Sequence, residues 1–101
     1  MALYSVYFTT KDKKEAEKIG KALIEKKLIA CVNIFPITSF YVWKGKLVKD
    51  KEYAIIAKTT VGFKIVEKAI KKLHSYKIPC ICKYDVVVNK EYEKWVNGVC
   101  K

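Results

Sequence analysis

The sequence predicts an α+β domain in which two helices cover one face of a four-stranded antiparallel sheet, with a further helix at the C-terminus. Three observations carry this reading. Apolar spacing alternates between periods near two and near 3.6 in the order strand, helix, strand, strand, helix, strand, helix. The second and third strands are overlong, about 12 residues each against a usual 5–6, and meet at Lys44-Gly45-Lys46. The 101 residues, 51% hydrophobic, suit a single domain spanning 1–101 with a real core. The element order is that of a ferredoxin-like βαββαβ sandwich with a long central hairpin.

The first strand runs over Leu3–Thr10. Leu3, Ser5 and Tyr7 alternate with Tyr4, Val6 and Phe8, so both faces are mostly apolar, as in a central strand. Asp12 caps the first helix, and Glu15 three residues later completes a capping-box pair. Ala16, Ile19, Gly20, Leu23 and Leu28 form its apolar stripe, with Lys14, Glu17, Lys18, Lys21 and Glu25 on the polar face.

The hairpin occupies Ala30 to Thr60, and Gly45 supplies the permissive backbone of its reversal. Phe40 and Val42 share one face, Tyr41 and Trp43 the other, so both faces present apolar or aromatic groups. A domain of this size cannot cover both, which implies that further copies of the chain cover the remainder. Pro36 cannot donate to a ladder, so its strand bends or lies at an edge.

Thr59 or Thr60 caps the second helix, whose stripe is Phe63, Val66, Ala69, Ile70 and Leu73, with Ile65 beside it. Lys71 and Lys72 fall in its last turn, where cations suit the helix dipole. Cys80–Val88 reads as the fourth strand. Asn89 caps a final helix with Tyr92, Trp95, Val96 and Val99 on one stripe.

The net charge of +11 comes entirely from lysine, and the chain has no arginine. Bidentate phosphate and base-edge contacts rely on arginine, so the lysines read as a solvated surface. An RNA-recognition module shares the element order, yet Glu52, Ile55 and Lys58 stand where its glycine and two aromatic rings belong. No specific nucleic-acid partner is expected. An acylphosphatase-like site would need a first-loop arginine and is excluded. No apolar run approaches a membrane span, and the N-terminus carries no signal-peptide pattern, so the expected compartment is the cytoplasm. There Cys31, Cys80, Cys82 and Cys100 remain thiols. Cys80 and Cys82 share a strand face and suit either a soft metal or plain packing.

No phosphate loop, paired catalytic carboxylates or His-x-His motif occurs, so the chain reads as non-enzymatic. The sole histidine, His74, with Tyr41, Trp43, Glu52, Lys58, Tyr76 and Trp95, supplies the candidate ligand cleft. Such a set suits a weakly held cation or a small anion, and its aromatics suit a subunit interface equally.

Ala30-Cys31-Val32-Asn33, Tyr41-Val42-Trp43-Lys44-Gly45-Lys46, Glu52, Lys58-Thr59, Leu73-His74-x-Tyr76-x-x-Pro79 and Tyr92-x-x-Trp95 occur in that order. Jointly they resemble the CutA family of divalent-cation tolerance proteins. The resemblance implies a compact homotrimer similar in architecture to the PII signalling proteins, with the long hairpins packed between subunits. It implies a role in tolerance to copper and other divalent metals, with no established reaction and no required cofactor. Ser75 and Lys77 depart from the family's usual proline and acidic residue. Phe8 and Leu73 stand where some bacterial members carry a cysteine and a paired histidine, which leaves His74 as the metal-ligand candidate. A PII-like regulator binding a small anionic metabolite through Lys58 and His74, and a purely structural trimer, are the competing readings.

Overall fold

The computed structural model describes residues 2–100. The elements follow the expected order: β1 (Tyr4–Thr10), α1 (Lys13–Glu25), β2 (Cys31–Trp43), β3 (Lys46–Thr59), α2 (Phe63–Leu73), β4 (Ile81–Asp85) and α3 (Lys90–Val99). The strands lie side by side as β2-β3-β1-β4, and each neighbouring pair is antiparallel. β1 is central and β2 is an edge, so Pro36 sits where a missing donor costs least.

The core forms on one face of this sheet. Val6 and Phe8 of β1 and Ile55 and Ala57 of β3 meet Ala16, Ile19 and Leu23 of α1, Val66 and Ile70 of α2, and Val96 of α3. Gly20 lets α1 approach β2, because a Cβ there would lie 3.2 Å from both Val32 methyl carbons. Tyr4 enters the core with its hydroxyl bonded to the Val61 carbonyl. Burial pushes its phenol up to about 12. By strand alternation and register, the opposite face carries Tyr7, Phe35, Ile37, Glu52, Ala54 and Ile56.

Asp12 caps α1 as predicted, its Oδ1 accepting the Glu15 N–H at 2.8 Å. Glu15 returns its Oε1 to the Lys11 N–H at 3.1 Å, one residue before the position a capping box would use. Leu28 lies beyond the helix, because the chain turns at Lys27 with φ 61°. The Leu28 N–H then bonds to the Leu23 carbonyl at 3.0 Å, and its side chain still packs on the core.

The hairpin strands are 13 and 14 residues long. Trp43 pairs with Lys46 across a two-residue turn in which Lys44 has φ 52° and Gly45 φ 79°. Positive φ at both central residues is the mark of a type I′ turn, whose twist matches the strands.

Two boundaries differ from expectation. α2 is capped by Gly62 without a side-chain bond, and neither Thr59 nor Thr60 caps it. Thr59 remains in β3, where its hydroxyl oxygen accepts the Val61 N–H at 2.9 Å and donates to the Leu28 carbonyl at 2.6 Å. β4 stops at Asp85, short of Val88, because its only partner β1 begins at Tyr4, opposite Asp85. Asn89 is the N-cap residue of α3 as expected, but its side chain donates to Glu91 at 3.3 Å and makes no bond to a helix N–H.

Candidate functional site

The candidate cleft residues fall into separate groups within one chain. The first group lies at the C-terminal end of β1. His74 leaves α2 in extended backbone, and its Nε2 donates to the Thr9 carbonyl at 2.7 Å. Its Nδ1 accepts the Tyr76 N–H at 3.0 Å. The carbonyl can only accept and the amide can only donate, so the ring carries its proton on Nε2. Both nitrogens are thus engaged by backbone, and neither is open to a metal ion in this arrangement.

The turn after His74 is held from below by Glu15, whose Oε2 accepts the Ser75 N–H at 2.8 Å. Burial alone would raise the Glu15 carboxyl, but hydrogen bonds from Ser75 and the Lys11 N–H outweigh it and hold the group below its ordinary range. The His74 and Tyr76 rings lie 4.8 Å apart, which directs the Tyr76 hydroxyl across the sheet. That hydroxyl donates to Glu52 Oε2 at 2.5 Å. Burial, then this bond, holds the Tyr76 phenol far above the ordinary tyrosine value.

Glu52 is only 7% exposed, an unusual position for a carboxylate. Asp50 lies two residues earlier on β3, on the same side, and accepts a hydrogen bond from the Tyr41 hydroxyl. That bond raises the Tyr41 phenol. Among the described residues the ion pairs are Lys71–Glu67 at 3.0 Å and Lys83–Asp85 at 3.9 Å. Among the described residues no lysine pairs with Asp50 or Glu52, although the chain carries 21 lysines.

The second group lies at the other end of the sheet. Lys58 Nζ sits 6.0 Å from the Tyr92 ring centroid. Trp95 stacks obliquely on Tyr92 at 5.6 Å, and the Tyr92 hydroxyl meets Cys31 Sγ at 2.8 Å. Burial, followed by the bond to Cys31, pushes the Tyr92 phenol up to about 12. Lys58 and Glu52 are six positions apart on β3, roughly 20 Å at the rise of a strand. Within one chain no small ligand touches both. Trp43, opposite Lys46 at the hairpin tip, is six positions from Glu52 in the other direction and 47% exposed.

Sequence reading missed Glu15 as the support of the His74 turn. The Asp-x-x-Glu spacing explained Glu15 as a cap, and nothing in the sequence ties it to Ser75, 60 positions away. The Cys31–Tyr92 contact spans 61 positions and is equally illegible. Among the described residues, no three His, Cys, Asp or Glu side chains converge to hold a metal ion.

The comparisons with known proteins agree with one another. The family model described as CutA1 divalent ion tolerance protein matches residues 4–99. A "Divalent-cation tolerance protein CutA" from Archaeoglobus fulgidus is 46% identical over 94 residues, covering 91% of this chain and 92% of that protein. A protein of the same description from Pyrococcus horikoshii is 42% identical over 93 residues, covering 90% and 91%. The solved structure of the periplasmic divalent cation tolerance protein CutA from Archaeoglobus fulgidus superposes with a TM-score of 0.94 at 42% identity, over 98% of this chain and 99% of that one. The fold is shared over nearly the whole of both chains, and the chain belongs to the CutA1 divalent ion tolerance family.

Proposed function

We propose that the protein is a non-enzymatic, homotrimeric divalent-cation tolerance protein that holds ions such as copper reversibly at the Glu52–Asp50 carboxylates. One observation carries this reading. Glu52 is buried with no lysine partner among the described residues, in a chain of net charge +11, and its one bonded oxygen is capped by a tyrosine hydroxyl. A buried carboxylate that is not neutralised by a side chain is costly. A divalent cation shared with Asp50 removes that cost, and oxygen donors suit it.

Two carboxylates and two phenol oxygens cannot complete a tight coordination sphere, so the binding is weak, as suits tolerance rather than permanent loading. His74, expected from sequence as the ligand, acts instead through its two backbone bonds, which set the position of Tyr76. The homotrimer is supported by the bare arm of the hairpin. A neighbouring subunit's arm, laid against the first group, would bring Trp43 and Tyr41 to the cleft and complete it. The compartment we propose is the cytoplasm, where the four thiols stay reduced, although the Archaeoglobus fulgidus relative is described as periplasmic.

Titration calorimetry with Cu²⁺ on the wild type, Glu52→Gln and His74→Ala tests the site. Glu52→Gln is expected to abolish the binding heat and His74→Ala to weaken it. Unchanged heat in Glu52→Gln overturns the carboxylate site, and abolition only in His74→Ala returns the ligand role to the imidazole. Light scattering tests the assembly, and a solution mass of 11.7 kDa would refute the trimer.

A further inference from the structure

Cys80, just before β4, and Cys82, within it, form a pair of thiols that the carboxylate site does not use. Cys80 and Cys82 are two positions apart, so their side chains leave the chain on one side. Their sulfurs lie 3.5 Å apart, and both are free. Cys80 is exposed and precedes the first paired residue of β4, Ile81, so its position is not held by the ladder. Cys82 is half-buried and pairs with Tyr7 of β1, so one donor is anchored and the other can adjust.

From this geometry we propose that Cys80 and Cys82 form a two-sulfur site for a single soft monovalent d¹⁰ cation, Cu⁺ being the physiological member of that class. The donor count selects the metal. Zinc requires four ligands, and no third His, Cys, Asp or Glu joins the pair among the described residues. Calcium and magnesium require oxygen. Thiolates favour Cu⁺ among the first-row ions, and Cu⁺ is satisfied by two of them. With metal–sulfur bonds of about 2.3 Å, the present spacing gives an angle of roughly 100° at the metal. Opening toward a linear arrangement needs the sulfurs to separate by about 1 Å, within reach of a χ1 rotation at Cys80.

The step balances without an oxidant. Two thiols and one Cu⁺ give a bis-thiolate complex of charge −1 and release two protons. The product is an anion in a chain of net charge +11, which stabilises it. The inference does not rest on the carboxylate site: the donors are sulfur instead of oxygen, and the ion is monovalent. A sheet carrying both kinds of site would let the protein engage copper in either oxidation state.

Anaerobic titration of the reduced, full-length protein with Cu⁺ against a chromophoric Cu⁺ chelator tests it. One Cu⁺ per chain is expected. Cys80→Ser and Cys82→Ser should each weaken binding by more than the roughly 10–100-fold that loss of an outer-shell partner costs. Cys31→Ser should leave it unchanged. X-ray absorption at the copper edge should show a shell of two sulfurs. Cys80 is exposed, so its serine variant folds, which far-ultraviolet circular dichroism verifies. Full retention of Cu⁺ by Cys80→Ser, or a nitrogen-dominated shell, overturns the site. Loss of Cu²⁺ heat in Glu52→Gln, with a two-sulfur shell still present at the copper edge of its Cu⁺ form, keeps the two proposals separable.

Discussion

The two halves of the β2–β3 hairpin are built from the same kinds of residue and meet different surroundings. At the root, Ile55 and Ala57 are sealed beneath the helices, and Val32 and Ile34 pack against the same core. On the arm, Val42 and Leu47 pair across the ladder and stand 69% and 74% exposed, with Phe40 and Trp43 also bare. The molecule is 45 Å long but only 24 × 22 Å across. Strand propensity and a well-formed turn make both halves; only the root is stabilised by burial in its own chain. The arm carries apolar surface of the kind that marks an interaction site. The comparison teaches that a continuous ladder can join a segment governed by the core to one governed by a partner.

Substitutions can break that comparison, and the largest effect belongs to the root. Ile55→Ala opens a cavity in the sealed core and should cost about 2–5 kcal/mol, read as a lower urea midpoint. Next comes the link between the sheet and the turn after α2. Tyr76→Phe removes the donor to Glu52 and leaves a buried carboxylate oxygen unpaired, at about 1–3 kcal/mol in the same assay. The turn itself is worth less. Gly45→Ala forces a side chain into positive φ and should cost roughly 1–2 kcal/mol, because the space around it is open and only the backbone objects.

Acid sharpens the contrast further. The Glu15 carboxyl is held below its ordinary value of 4.5, so the folded state gains stability that is present above that pH and is lost as pH falls below it. Glu15→Gln should flatten the acid limb of the stability profile, measured by thermal melts across pH 6 to roughly 3. Alkali acts oppositely at Tyr4. Its phenol is raised to about 12, so its contribution is full below 10 and fades as pH rises toward 12.

The smallest effect on the single chain is on the arm. Val42→Asp with Leu47→Asp should change its intrinsic stability by only about 0.5 kcal/mol, as at any exposed site. The same double variant should convert the assembly to a species of 11.7 kDa by light scattering. A wild-type mass at that value would show that the arm needs no partner. Retention of a larger mass by the variant would place the interface elsewhere.

Most element identities were legible because each rests on a local rule. The Asp12 cap, the Gly45 reversal and the alternation along β3 need no distant residue to make sense. The misplaced boundaries were those set by distant partners. β4 ends where β1 runs out, and Thr59 is drawn into bonds with Leu28 and Val61 before it can cap α2. The candidate site was legible as a list of side chains and not as a place. His74, Tyr76 and Glu52 do come together, but Lys58 and Trp95 belong to the opposite end of the sheet.

The sequence by itself determined the family, the element order and the overlong hairpin, because periodicity, turn chemistry and motif spacing act over a few residues. Tertiary structure alone decided which groups are bonded to which. It turned His74 from an apparent ligand into a residue engaged at both nitrogens by backbone from two elements, Thr9 in β1 and Tyr76 after α2. It also buried Glu52 with no lysine partner among the described residues and set the Cys80 and Cys82 sulfurs 3.5 Å apart. Burial and hydrogen-bond partnership depend on residues brought together from across the chain, and no local pattern encodes them.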